Sequence, residues 1–200
     1  VSAVLAFLFL LAGIAAASAQ LALRPVPEGP SAEGEKGAVR YERGAANARP
    51  GWKDRARKIW HGREGRYLFS EADLNALFAS RVEHAIAIEG LEAIRVAEIP
   101  NVRFLEGDRV QVGMVLSFPG LSGEQKIVYQ VRGKVVPGGF APQMGWLGQC
   151  PVPLCNTMML ESVRNRLMIR GDDSRLARLL ERLTFSREGE FLEIDVDPEK

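Results

Sequence analysis

Between residues 110 and 135 the chain alternates. Val110, Val112, Met114, Leu116 and Phe118 take every second position. After a break at Pro119-Gly120 and Ser122-Gly123, Ile127, Tyr129, Val131 and Val135 keep the same period. A period of two puts such side chains on one face of a strand, so two one-sided strands are predicted. Ile94 and Val96 flank Arg95 in a shorter strand that Pro100 is expected to end, with Val102 and Phe104 continuing beyond it. Glu106-Gly107-Asp108 reads as a turn, and Pro137-Gly138-Gly139 closes the run. Strands joined by such short turns pair antiparallel, as a meander centred on residues 101–136.

On either side the period is helical. Trp52, Ala56, Ile59 and Trp60 share one face of a short helix. Residues 69–78 read FSEADLNALF. Ser70 suits an N-cap, and Asp73 is a shorter version of the acid that closes a capping box. Glu71 and Asp73 stand in the first turn, where acids complement the helix dipole. Leu74, Leu77 and Phe78 form an apolar face, and the helix is predicted over 71–83. Asn75 is a poor helix former lying off that face; its amide is expected to satisfy backbone groups at a neighbouring sheet edge. In MGWLGQCPVPLCN, Gly and Pro argue against a regular strand across the middle. Asn156 is expected to cap a helix with Met159, Leu160, Val163 and Leu167 on one face, ended by Gly171. Asp172 or Asp173 caps another, with Leu176, Leu179, Leu180 and Leu183 inward. LTFSREGEFLEIDV predicts a closing hairpin that turns at Glu188-Gly189.

The first 51 residues have neither period. Val1 to Leu23 carries no charge. One reading is a signal peptide cut before Gln20, after the small-x-small run Ala17-Ser18-Ala19. Another is an uncleaved anchor, since about 20 apolar residues cross a bilayer. A third is a buried core helix, against which the terminal position and lack of charge argue. The first two are the favoured readings. Both send the rest of the chain out of the cytoplasm, to the cell envelope on its periplasmic or extracytoplasmic side. Residues 24–51 are rich in Pro, Gly, Ala and charge, with few large apolar side chains to offset ordering entropy, and read as a flexible linker. The expected layout is therefore 1–23 export or anchor segment, 24–51 linker and 52–196 globular domain.

Composition changes this picture little. The 200 residues are 46% hydrophobic and 26% charged, with a formal net charge of +1 that does not argue for a nucleic-acid partner. Charge does matter locally. Trp52, Lys53, Arg55, Arg57, Lys58 and Trp60 make a basic helix with interfacial tryptophans, a candidate membrane-surface element. The alternative is an amphipathic helix whose tryptophans pack on the domain, because Asp54 and Glu64 dilute the charge. There is no phosphate-cradling glycine loop, no G-x-S-x-G and no H-E-x-x-H. With His61 and His84 as the sole histidines, no metal ligands, catalytic residues or cofactor are assigned, and the chain reads as non-enzymatic. Cys150 and Cys155 suit either a small-loop disulfide in an exported protein or two thiols.

The order of elements carries a resemblance. The E-A-D-L-N-A-L-F helix start, the turn after Phe104-Leu105-Glu106-Gly107 and the glycine/proline step from Gly148 to Pro153 resemble the YpmS-like family of membrane-anchored bacterial proteins. More distantly they are similar to bacterial tubular lipid-binding-like (TULIP-like) envelope proteins. The matching positions are Glu71, Leu74 and Asn75, then Gly148, Pro151 and Pro153; the two cysteines and the long charged linker depart from the pattern. The resemblance implies a strongly curved antiparallel sheet wrapped on helices, with an apolar groove and no catalytic residues. The expected fold is α+β: a curved antiparallel β-meander packed against several helices, preceded by an apolar N-terminal helix. The expected function is an envelope protein binding lipid or another apolar ligand, lined by Leu74, Phe78, Val112, Met114, Leu116, Phe118, Met159 and Val163. The alternative is a membrane-tethered scaffold or protein-interaction module with the basic helix at the membrane surface.

Overall fold

Alternation and short turns produce what they predict, a meander. The computed structural model describes residues 2–27, 39–81, 87–88, 91–120, 123–152, 179 and 181–197, with side chains from Ala12 onward except those of 81, 87–88, 91–94 and 120. In chain order the elements are α1 (Ser2–Leu23), α2 (Trp52–Trp60), β1 (Gly65–Ser70), α3 (Glu71–Arg81), β2 (Ala87–Ile88), β3 (Leu91–Phe104), β4 (Arg109–Gly120), β5 (Gly123–Val136), β6 (Gly139–Leu147), β7 (Cys150–Pro151), β8 (Leu183–Glu188) and β9 (Phe191–Val196). One sheet has the order β2-β3-β4-β5-β6-β7 with every neighbour antiparallel; a second has the order β1-β9-β8. The fold is mixed α+β, as expected.

The prolines behave differently from expectation. Pro100 does not end its strand: β3 runs through it, and the register slips between Glu98 and Asn101. A bulge is where a missing N–H costs the ladder least. Pro119 likewise stays in β4, opposite Glu124. The chain after Pro137-Gly138 is also a strand. β6 carries Pro142, and pairing passes from Gly133↔Pro142 to Arg132↔Met144, so Gln143 is bulged out. β1 is an unforeseen strand that pairs with β9 and widens the closing hairpin to three strands. Leu183 opens β8 rather than facing inward from a helix. The expected helix from Asn156 to Gly171 lies outside the described residues.

The meander's apolar face is covered in two parts. Toward the start of β4, Val102 and Val110 pack with Phe69 of β1, Leu74 of α3, Ile59 of α2, and Ile194 and Val196 of β9. Farther along, Val96, Met114, Leu116, Ile127, Tyr129 and Val131 form a second cluster, joined by Ala22 and Leu147. The C-terminal end of α1 docks there: Gln149 N donates to Leu21 O at 3.1 Å. Gly148 is left-handed (φ 59°) and touches the Ala22 backbone where any Cβ would collide.

The linker expectation gives way from Val39 onward. Residues 39–50 run as a strap on the domain without regular secondary structure, turning at Ala46–Ala48, with Tyr41 2% exposed. The strap buries little apolar surface of its own besides Tyr41. Side chains of the domain take many of its backbone groups.

Candidate functional site

β1 passes directly into α3, and the local sequence makes the junction. Asp73 N donates to Ser70 Oγ at 3.2 Å, and Ser70 N donates back to Asp73 Oδ2 at 3.0 Å, the reciprocal capping expected of these residues. Local chemistry thus starts the helix and fixes which way Glu71, Asp73 and Asn75 project. All three are buried.

Glu71 and Asn75 stand one helical turn apart and face the outer edge of β3. Among the described residues that edge has no strand partner at 102–104, because β2 pairs only with the opposite end of β3. Val102 N donates to Asn75 Oδ1 at 2.6 Å, and Asn75 Nδ2 donates to Val102 O at 3.0 Å. Phe104 N donates to Glu71 Oε2 at 2.6 Å. A helix turn of about 5.4 Å spans the repeat of outward-facing groups along a strand, so two side chains at i and i+4 serve as a substitute strand. This is the role expected for Asn75.

The same two side chains also hold the strap. Ala45 N donates to Glu71 Oε1 at 2.5 Å, Asn75 Nδ2 donates to Ala45 O at 2.9 Å, and Arg103 Nη1 reaches Glu71 Oε1 at 3.1 Å. Asp73 lies about 200° round the helix from Glu71. Its carboxylate, 0% exposed, accepts from Arg49 N (2.8 Å), Arg49 Nε (3.1 Å) and Nη2 (3.0 Å), and Arg55 Nη2 (2.9 Å). The Arg49 guanidinium also lies over the Phe191 ring, and that of Arg55 over Phe69. Burial alone would push the Asp73 carboxyl up. The N–H groups of Ser70 and Arg49, the Arg49 guanidinium and the Ser70 hydroxyl outweigh that and hold it below the ordinary 3.8.

Upstream, the polar face of the meander receives the rest of the strap. Gln149 pairs its amide with Val39, accepting from Val39 N and donating to Val39 O, each at 2.8 Å. Arg132 Nη2 donates to Arg40 O at 3.3 Å, and Gln111 Nε2 to Glu42 O at 3.1 Å. Gly44 N donates to Asn101 Oδ1 at 2.6 Å. The Tyr41 ring lies over Gly113, where a Cβ would run into it, and a Cβ on Gly44 would run into Val102 O. Burial lowers the Arg132 guanidinium from its ordinary value, partly offset by Glu42.

The expected site residues fall as follows. Leu74, Phe78 and Val112 belong to the first core cluster, whereas Met114, Leu116 and Phe118 belong to the second. These six described residues divide between two neighbouring clusters, both of which Phe140 packs against. Met159 and Val163 lie outside the described residues. Met114 is 1% and Leu116 0% exposed, so Leu116→Ala is expected to cost about 3 kcal/mol with no ligand added. A denaturation midpoint unmoved in ligand-free protein would instead mark Leu116 as the wall of a vacant groove.

On α2, Arg55 does not belong to a free basic face. It turns inward because Asp73 offers a buried acceptor, and its side chain pairs there. Arg57 and Lys58 both pair with Asp54. Lys53 and Trp60 are exposed, and Trp52 is half-buried. Cys150 has a free thiol whose Sγ approaches Pro151 O at 3.7 Å; Cys155 lies outside the described residues.

Tyr41, Arg49, Asn101, Gln111 and Gln149 were not singled out from the sequence. One signal was present. Between the apolar positions of β4 stand Gln111, Gly113, Val115 and Ser117, without a charge. A solvated face would carry charge, so this face is covered too. Among the described residues no group of three or more His, Cys, Asp or Glu is placed to hold a metal ion. No family model, curated protein or solved structure matches this chain.

Proposed function

We propose that the chain is a non-enzymatic interaction module of the cell envelope, held at the membrane by α1 on the extracytoplasmic side. The observation that carries this reading is the docking of α1. Leu21 O and Ala22 are seated against the β6–β7 turn, so the uncharged N-terminal helix is attached to the domain at its base. Among the described residues no helix is long and apolar enough to cross a membrane. By sequence, α1 has 22 residues without a charge, about 33 Å of helix against a hydrocarbon core of about 30 Å. The resemblance of the sequence to membrane-anchored YpmS-like proteins points the same way, and with it we infer a strongly curved sheet. The non-enzymatic reading is supported by the buried acids. Glu71 and Asp73 are engaged by backbone N–H groups and arginines, an arrangement that builds structure and offers no proton to a substrate. The apolar-ligand reading is the weaker one, because its lining residues divide between two core clusters.

The full chain is expected to float with phosphatidylcholine vesicles and to stay with them through 1 M salt and alkaline carbonate. The double variant Leu10→Arg, Ile14→Arg is expected to be lost from them. Release of the parent chain by salt alone would show a peripheral attachment and overturn the anchor.

A further inference from the structure

The strap is held much as a ligand is held. Many of its polar ties run from side chains of the domain to its backbone: Gln149 to Val39, Arg132 to Arg40, Gln111 to Glu42, Asn101 to Gly44, Glu71 and Asn75 to Ala45, and Asp73 to Arg49. Its side chains add others: Glu42 to Arg103, Arg43 to Glu98, and Arg49 to Asp73 and Leu68 O. Backbone readout gives affinity to any extended peptide, and side-chain seats give selectivity. Two seats are built. One is the space over Gly113 that takes the Tyr41 ring, and the other is the Asp73 carboxylate with the Phe191 ring, which take Arg49. A steric filter lies between them at Gly44, against Val102 O.

The resident segment leaves part of this face unused. Gln130 is 0% exposed, and neither its Oε1 nor its Nε2 has a hydrogen-bond partner among the described residues. It stands opposite Gly113 in the β4–β5 register and therefore shares its face, beside the Tyr41 seat. An unpaired buried amide carries a desolvation cost that a fitted occupant would remove. A cleft of about 310 Å3 also opens beside the strap, between Tyr41, Arg43 and residues 97–101 of β3.

We propose that this face is a peptide-binding site that the chain's own residues 39–49 fill in cis. Its ligand is an extended peptide with an aromatic side chain, glycine three positions later and arginine eight positions later. A partner's segment enters by displacing the strap, and it binds more tightly where it also supplies a polar group to Gln130. Pro50 and Gly51 are the exposed link between strap and α2, and Gly51 is left-handed (φ 79°), which makes it the point about which the strap leaves. This inference gives a partner class to the interaction module proposed above and rests on that reading for its purpose. Its readout is binding in detergent solution, where loss of the membrane anchor has no effect.

The probe is a labelled synthetic peptide, VRYERGAANARP, copied from residues 39–50. The full-chain variant Tyr41→Ala, Arg49→Ala loosens the strap and keeps the seats. It is expected to bind the probe at one site, at least tenfold more tightly than the parent chain does. A probe with valine in the position of Gly44 is expected to lose at least tenfold. Equal probe binding by the variant and the parent, or full binding of the valine probe, would overturn the proposal. Where the double variant fails to fold, the parent chain is given a protease site at Pro50-Gly51 and cut after folding. The cut protein is expected to take up the labelled probe and the uncut protein not; a cut, folded protein that takes up none counts against the site.

Discussion

Asp73→Asn is expected to lower the unfolding free energy by about 3 kcal/mol at neutral pH. The side chain keeps its shape, but every partner of Asp73 is a donor: Ser70 N, Arg49 N, and the guanidinium groups of Arg49 and Arg55. Whichever way the new amide turns, its NH2 faces a donor, and a backbone N–H is left buried and unpaired. The loss stays below that of a fully buried ion pair because both arginines keep partial access to water. The pH arm follows from the direction of the shift. A carboxyl held below its unfolded value contributes stability that is complete above that value, about 3.9, and is lost as pH falls through the lower folded value. The difference between parent and Asp73→Asn should therefore be constant from neutral pH down to about pH 5 and shrink below about pH 4. Urea denaturation of both proteins across that range measures it. A gap that does not change with acid would mean that Asp73 contributes no ionic stabilisation.

Asn75→Asp is the second large effect, and its pH response has the opposite sign. Asn75 Nδ2 donates to two carbonyls, Ala45 O and Val102 O. A carboxylate there faces two acceptors in a buried site, which costs more than the three hydrogen bonds that alanine would lose, about 2–4 kcal/mol. The introduced carboxyl is disfavoured when charged, so its folded pKa lies above the unfolded one. The variant should then recover relative to the parent as pH falls and the group protonates, since the neutral acid can donate once. Denaturation of Asn75→Ala and Asn75→Asp at pH 7 and pH 5, with hydrogen exchange at Val102 N–H, separates these cases. Asn75→Ala within about 0.5 kcal/mol of the parent would mean that the β3 edge does not need this side chain.

The two residues also show where sequence reasoning reached and where it stopped. The Ser70–Asp73 cap is an i, i+3 interaction, and it was legible because both partners stand in one turn. That Asn75 should serve a sheet edge was legible from its misfit in the helix. Its partners, Val102 and Ala45, lie 27 and 30 residues away, and nothing local marks them. Arg55 was placed on a basic face because a helical wheel knows only its own helix; Asp73, which turns it inward, belongs to another. The described residues of the candidate ligand lining divide for a related reason. Val112 and Met114 are adjacent on one strand face, but the period of a strand does not say that the face will be shared between two clusters.

By itself, the sequence determined the meander, the start of α3, the closing hairpin and the mixed α+β class. Each follows from short-range alternation, capping or turn chemistry, in which neighbours in the chain are neighbours in space. The tertiary structure alone decided the strap. Residues 39–50 have the composition of a linker because they do not stabilise themselves through apolar burial. Their order is encoded in the surface that receives them, by Glu71, Asp73, Asn75, Asn101, Gln111, Arg132 and Gln149, each satisfying a backbone group that any sequence would carry. A segment held largely through its backbone leaves little trace in its own side chains beyond Tyr41, Arg43 and Arg49, and for that reason its place became visible only once the receiving surface was assembled.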